Sequence, residues 1–158
     1  KIEIERIPCD LNSIAGRAVE LLESKLTEQV KLIVESDPNI RQFYCNQDRM
    51  EQLLLNLLDN AIKYTEKGII TLTCSEENDK LKLVVKDTGI GIEREHLSRV
   101  FERFYRIDKG RSRKQGGTGL GLSIVKHIVE LYNGTIQVNS ELGVGTEFII
   151  YLPYSDLT

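Results

Sequence analysis

Two asparagines one helical turn apart, Asn56 and Asn60, with Lys63 just beyond them, form the group in this sequence best suited to holding a cation and a phosphate together. They belong to DRMEQLLLNLLDNAIKYT, Asp48–Thr65, which at about 100° per residue divides into two faces. Gln52, Asn56, Asn60, Lys63 and Tyr64 make a narrow polar stripe, and Met50, Leu53, Leu54, Leu57, Leu58, Ala61 and Ile62 fill the wide arc opposite. A helix this apolar is mostly buried, so its stripe faces something specific. Solvent stripes usually carry Lys, Glu and Arg, whereas mid-helix Asn costs roughly half a kcal/mol relative to Ala. An amide offers an acceptor and two donors, so the pair can ligate a hard cation through oxygen and hold phosphate through nitrogen. An ordinary solvated stripe is the alternative.

A second candidate is Asp87. In Leu81–Asp87 the side chains of Leu81, Leu83 and Val85 share one face, and the period of two puts Asp87 on that inward side. A carboxylate there needs a donor, because burying it unpaired is costly. Thr88-Gly89-Ile90-Gly91-Ile92 follows, and its glycines allow positive φ or the close approach of a crowded ligand. The competing reading is an Asp that caps a helix over Glu93–Val100. A third candidate is Gly117-Thr118-Gly119-Leu120-Gly121, which runs straight into a helix over Leu122–Tyr132. Free N–H groups and the positive dipole end converge there, which makes an anion site. It is neither a P-loop nor a dinucleotide-binding fingerprint, since no Lys-Ser/Thr follows, the spacing is GxGxG, and no strand precedes it.

Positioning these groups falls to a short set of elements. Ile2, Ile4 and Ile7 read as a strand or linker up to Pro8, and Asp10 caps a helix over Leu11–Leu26. Val30–Glu35 and Arg41–Cys45 are strand-like, with the Asp37-Pro38-Asn39 turn between them. Asn46 caps the central helix, which Gly68 closes. Gly68–Ser75 and Leu81–Asp87 form one hairpin around Glu76–Asp79, and Thr135–Ser140 and Gly145–Pro153 form another. Between them, Ile107–Gly117 has no apolar periodicity but carries Lys109, Arg111, Arg113 and Lys114, as a lid or a mobile solvated loop would. Three long helices and about five strands in mostly hairpin order make an α+β two-layer sandwich with a mixed, mostly antiparallel sheet.

Composition limits the partners. A chain of 158 residues and 18.0 kDa is one domain with a real core. Net charge of -3 and pI near 5.5 give no overall attraction to nucleic acid or anionic membrane. Cys9, Cys45 and Cys74 are odd in number and lack CxxC spacing, so they read as small buried hydrophobes in a reducing, cytoplasmic setting. No apolar run reaches membrane-spanning length and Lys1 does not open a signal peptide. The sequence begins without Met and without a disordered tail, so it is expected to be a fragment cut from something larger.

Taken in order, NLLDNAIKYT, DTGIGI, FERFYR with its basic loop, and GGTGLGLSIV resemble the ATP-binding catalytic domain of bacterial sensor histidine kinases. That superfamily also holds gyrase B, Hsp90 and MutL. The resemblance spans roughly Ile4–Pro153 and is strongest to phosphate- and cell-wall-sensing kinases of Gram-positive bacteria. It implies a Bergerat-type fold and ATP with Mg²⁺ as ligands. Asp87 would accept from the adenine amino group near Thr146, while Gly89, Gly91 and Ile92 would line the base pocket. Asn60 would ligate Mg²⁺, with Asn56 and Lys63 facing phosphates and Tyr64 and Tyr105 against the nucleotide. Arg106 would reach the γ-phosphate, and Gly117, Thr118, Gly119, Leu120 and Gly121 would form the lid hinge.

The same resemblance implies domain limits of 1–9 for a linker, 10–154 for the catalytic domain and 155–158 for a tail. The implied partners are a dimerisation and phosphoacceptor domain, and a cognate response regulator. The fragment would be monomeric, and its parent would be a membrane-anchored homodimer. Hydrolysing relatives carry a Glu where Asn56 stands, and an amide cannot serve as general base. Phosphoryl transfer needs mainly positioning and charge neutralisation, for which Lys63 and Arg106 are the stabilisers. His96 and His127 lack the acidic neighbour of the family's phosphoacceptor and read as surface residues. A gyrase- or MutL-type clamp and a non-catalytic, ATP-gated interaction module are the alternatives.

Overall fold

The computed structural model describes residues 5–105 and 121–154, and the chain enters it through a three-residue strand, β1 (Ile7–Cys9). Asp10 ends that strand and starts α1 (Leu11–Leu22), its carboxylate accepting from the Asn12 amide at 3.0 Å. The helix is shorter than the apolar spacing to Leu26 predicts. Its last turn tightens into a 3₁₀ turn at Glu23–Lys25, from which Leu26 still packs on the core. β2 (Val30–Ser36) and β3 (Phe43–Cys45) follow.

Asn46 then caps α2 (Gln47–Lys63), taking the Arg49 amide at 3.0 Å. Its own N–H donates to the Tyr132 hydroxyl at 2.8 Å. Asp48 in the first turn and Lys63 in the last suit the helix dipole. β4 (Gly68–Glu77) and β5 (Lys80–Asp87) form the first hairpin, closed by Asn78 and Asp79 at φ 53° and 63°. That two-residue left-handed pair matches the strand twist. Gly68 opens β4 at φ 141°, at the start of the strand expected from Gly68 onward, while Tyr64 caps the helix. The helix expected over Glu93–Val100 shrinks to α3 (Arg94–Leu97), with turns continuing to Phe104. α4 (Gly121–Leu131) precedes the second hairpin, β6 (Thr135–Glu141) and β7 (Gly145–Pro153).

The main sheet has the order β2-β4-β5-β7-β6, with β2 and β4 parallel and every other pair antiparallel. Five strands in one sheet match the expectation. The expected strand Arg41–Cys45, trimmed to Phe43–Cys45, leaves this sheet and pairs with β1 as a separate two-stranded ribbon. One face of the sheet carries Leu72, Cys74, Leu83, Val85, Phe148 and Ile150, all buried against α1, α2 and α4. Each fully buried aliphatic side chain contributes roughly 1.5–3 kcal/mol, so this layer contact holds α2 in place. The outer face is solvated, as the alternating exposure of β6 shows.

Candidate functional site

The polar stripe of α2 emerges beside the sheet edge of the core. Asn56, Asn60, Lys63 and Tyr64 are half-buried, while Leu53, Leu54, Leu57, Leu58 and Ala61 behind them are sealed. Asn56 donates through Nδ2 to the Gly121 carbonyl at 3.5 Å, so the start of α4 lies against the amide face of α2. Asn60 has no side-chain hydrogen bond among the described residues. Its amide oxygen is the kind of donor a hard divalent cation takes. Lys63 is paired with Asp59, one turn back at 3.3 Å, and the same carboxylate takes Lys25 at 3.0 Å. The Asp59–Lys63 spacing is that of an ordinary helix ion pair, and sequence spacing does not show the second partner, because Lys25 comes from a distant turn.

Asp87 lies at the end of β5 opposite Thr146 of β7 and is 5% exposed. Its Oδ1 accepts from the Gly89 amide at 2.9 Å and the Thr146 amide at 3.3 Å. Burial pushes its pKa up, and those two amides pull it partway back. Asp87 meets no protein cation among the described residues, and the N-cap of α3 is Glu93, with no side-chain cap hydrogen bond, so the helix-cap alternative fails.

The two hinge glycines serve different ends. Gly91 takes φ 79°, as expected of a turn glycine. Gly89 has an ordinary φ, and a Cβ on it would run into the Tyr64 carbonyl and the Thr65 hydroxyl. The close approach it permits is therefore to the end of α2. Ile90 N–H donates to that Tyr64 carbonyl at 3.1 Å, which clamps the hinge onto the helix. Thr65 is 3% exposed, with its hydroxyl unpartnered among the described residues, beside the hinge.

Ser140 is a site residue that sequence reasoning missed. Its hydroxyl donates to the Gly145 carbonyl at 2.9 Å and accepts from the Ile92 amide at 2.7 Å. It also meets Thr146 Oγ1 at 2.8 Å. A hydroxyl has one proton, so with that proton on Gly145 the Thr146 hydroxyl is the donor to Ser140. The lone pairs of Thr146 Oγ1 are then not used by Ser140. A serine in a polar-alternating edge strand gives no signal of this role.

The structure thus brings Asp87, Gly89, Gly91, Ile92 and Thr146 together at one hinge, and places Asn56 against Gly121. Tyr105 goes elsewhere. Its hydroxyl meets the His96 ring, and its own ring lies under Arg99 at 4.5 Å, so His96 is half-buried and not the surface residue expected. His127 is exposed. Arg106, Gly117, Thr118, Gly119 and Leu120, with the loop Ile107–Gly117, lie outside the described residues.

Residues 45–156 match the family described as histidine kinase-, DNA gyrase B-, and HSP90-like ATPase. The chain belongs to this ATPase family. Among curated relatives it is 55% identical over 107 residues to the sensor protein SrrB of Staphylococcus aureus strain NCTC 8325. That match covers 67% of this chain and 18% of SrrB, so the chain spans under a fifth of that relative's length.

Among solved structures, full-length ShkA in complex with AMPPNP aligns with a TM-score of 0.85 at 29% identity, over 98% of this chain and 32% of ShkA. The catalytic domain of histidine kinase ThkA aligns at 0.82 and 29% identity, over 95% of this chain and 96% of that one. The mycobacterial sensor histidine kinase MprB gives 0.81 and 28%, over 94% and 97%. This ATPase-family chain therefore has the fold and relatives of an ATP-binding sensor-kinase catalytic domain, which favours that reading over the clamp and the non-catalytic module. The kinship to a Gram-positive sensor kinase agrees with the motif resemblance.

Proposed function

We propose that this domain binds ATP with Mg²⁺ and donates the γ-phosphoryl group to a histidine on a separate dimerisation domain of its parent. The observation that carries the reading is Asp87, a buried carboxylate whose protein donors are two backbone amides on a single oxygen. The other oxygen suits an exocyclic amino donor, and Thr146 Oγ1 adds acceptor capacity beside it. Gly89, Gly91 and Ile92 would line the base pocket, and Tyr64 would lie against the nucleotide. Asn60 would give an oxygen to Mg²⁺, which when bound would neutralise phosphate charge. Asn56 and Lys63 would face the phosphates, with Arg106 reaching the γ-phosphate and Gly117, Thr118, Gly119, Leu120 and Gly121 supplying lid amides. The Asp59 pairing would hold Lys63 ready to swing toward a phosphate.

Asn56 has no proton affinity with which to activate water, so the domain would act by positioning and charge stabilisation. We further infer the limits 1–9 for a linker, 10–154 for the catalytic domain and 155–158 for a tail. The partners would be that dimerisation domain and a response regulator, in a homodimeric parent anchored in the cell membrane. No helix among the described residues is long and apolar enough to cross a membrane. The test is incubation with γ-labelled ATP and a separately made histidine domain. Acid-labile, alkali-stable label on that partner is the expected result. ADP released without a partner would favour the hydrolase.

A further inference from the structure

Cys9 and Cys45 are 36 residues apart in sequence, and in the fold they come together on the two-stranded ribbon. Ile7 pairs with Cys45 and Cys9 with Phe43, so the two cysteines are diagonal neighbours on one face. Both are buried free thiols, and Cys9 Sγ lies 3.7 Å from the Cys45 carbonyl oxygen. Burial, with the Cys9 thiol adding to it, pushes the Cys45 thiol up. Cys74 stands apart on β4 in the main sheet, raised to about 12 by burial, with no thiol neighbour.

We propose that Cys9 and Cys45 are a dithiol–disulfide pair, oxidised by peroxides and reopened by thiols. Diagonal positions in a ladder average roughly 7–8 Å between α-carbons, and a disulfide needs less than about 7 Å. The closing slide is small and falls on β1, three residues long at the edge of its ribbon, with Ile7 and Pro8 exposed. Opening of that short strand also gives the oxidant access to thiols that are shielded in the closed state.

In the first step the Cys9 thiolate attacks a peroxide oxygen. The O–O bond breaks, the leaving oxygen takes a proton, and Cys9 becomes a sulfenic acid. The Cys45 thiolate then attacks that sulfur, the S–O bond breaks, and hydroxide leaves as water with the second proton. Two thiols are oxidised by two electrons and one peroxide is reduced. The bond would join the residues immediately before Asp10 and Asn46, the caps of α1 and α2, and so fix the entry of both helices.

The test takes the 158-residue chain, reduced and then freed of thiol, and treats it with hydrogen peroxide before alkylation and peptide mapping. Expected are a mass loss of about 2 Da, alkylation at Cys74 alone, and a linked peptide pair through Cys9 and Cys45. Dithiothreitol should reverse the change, and the oxidised form should melt at a higher temperature, since a cross-link restricts the unfolded chain. Cys74→Ala should keep the whole response and Cys9→Ser should lose it. If Cys9→Ser fails to fold, the map of the unmodified sequence decides alone. Oxygen additions without a link, a bridge to Cys74 or between chains, or three alkylated cysteines after native treatment would each overturn the pairing.

Discussion

Asp87 carries the largest chemical consequence of any single side chain here. Replacing it by Asn keeps an acceptor for the Gly89 and Thr146 amides but removes the charge a purine amino group would meet. A hydrogen bond to a charged group is worth about 1.5–3 kcal/mol, so Asp87→Asn should weaken ATP binding about 10- to 100-fold in calorimetry with an unchanged circular dichroism spectrum. Unchanged affinity would count against the adenine assignment. The same residue sets a pH dependence. Burial raises its pKa in the folded state above the unfolded value, so the stability linked to the neutral acid is fully present below the unfolded pKa. It is lost as pH rises through the folded one. Asp87→Asn escapes that loss, and its melting temperature relative to the unmodified chain should be higher at pH 7 than at pH 4. Asn60→Ala is expected to abolish the Mg²⁺ dependence of nucleotide binding in titrations with and without the ion. If that dependence survives, the metal sits elsewhere.

The elements divide by how locally they are specified. α2 with its Asn46 cap and the inward turn of Asp87 are legible in the sequence, because periods of 3.6 and 2 are written in adjacent residues. The two ribbon strands read as strand-like, but three residues carry too little pattern to fix their partner, so the β1–β3 pairing is not legible, and α3 shortens because its segment has charge without an apolar stripe. Ser140 acquires its partners, and Asp59 its second partner Lys25, only when distant strands and turns meet. The Asn46 cap makes this scale testable. Losing its hydrogen bond to the Arg49 amide should cost about 1 kcal/mol, so Asn46→Ala should melt roughly 2–4 °C lower. Tyr132→Phe, which removes the acceptor of the Asn46 N–H, should lower the melting point in the same direction.

At the scale of the whole molecule, a domain that acts as the proposed phosphate donor, with neither of its own histidines as acceptor, should be inert toward itself. Incubated alone with labelled ATP, the chain should carry no acid-labile label at His96 or His127, as peptide mapping would show. Label on either would make the domain self-sufficient. The parallel pairing of β2 with β4 bears on how the chain assembles. Val30 meets Gly68 only after the intervening ribbon strand and the whole of α2 have found their places, whereas the two hairpins can close from their own turns. Non-local pairings close slowly, so β2 should be the last strand to gain amide protection during refolding and the first to exchange in the native state. The sheet would zip from its hairpins toward that border.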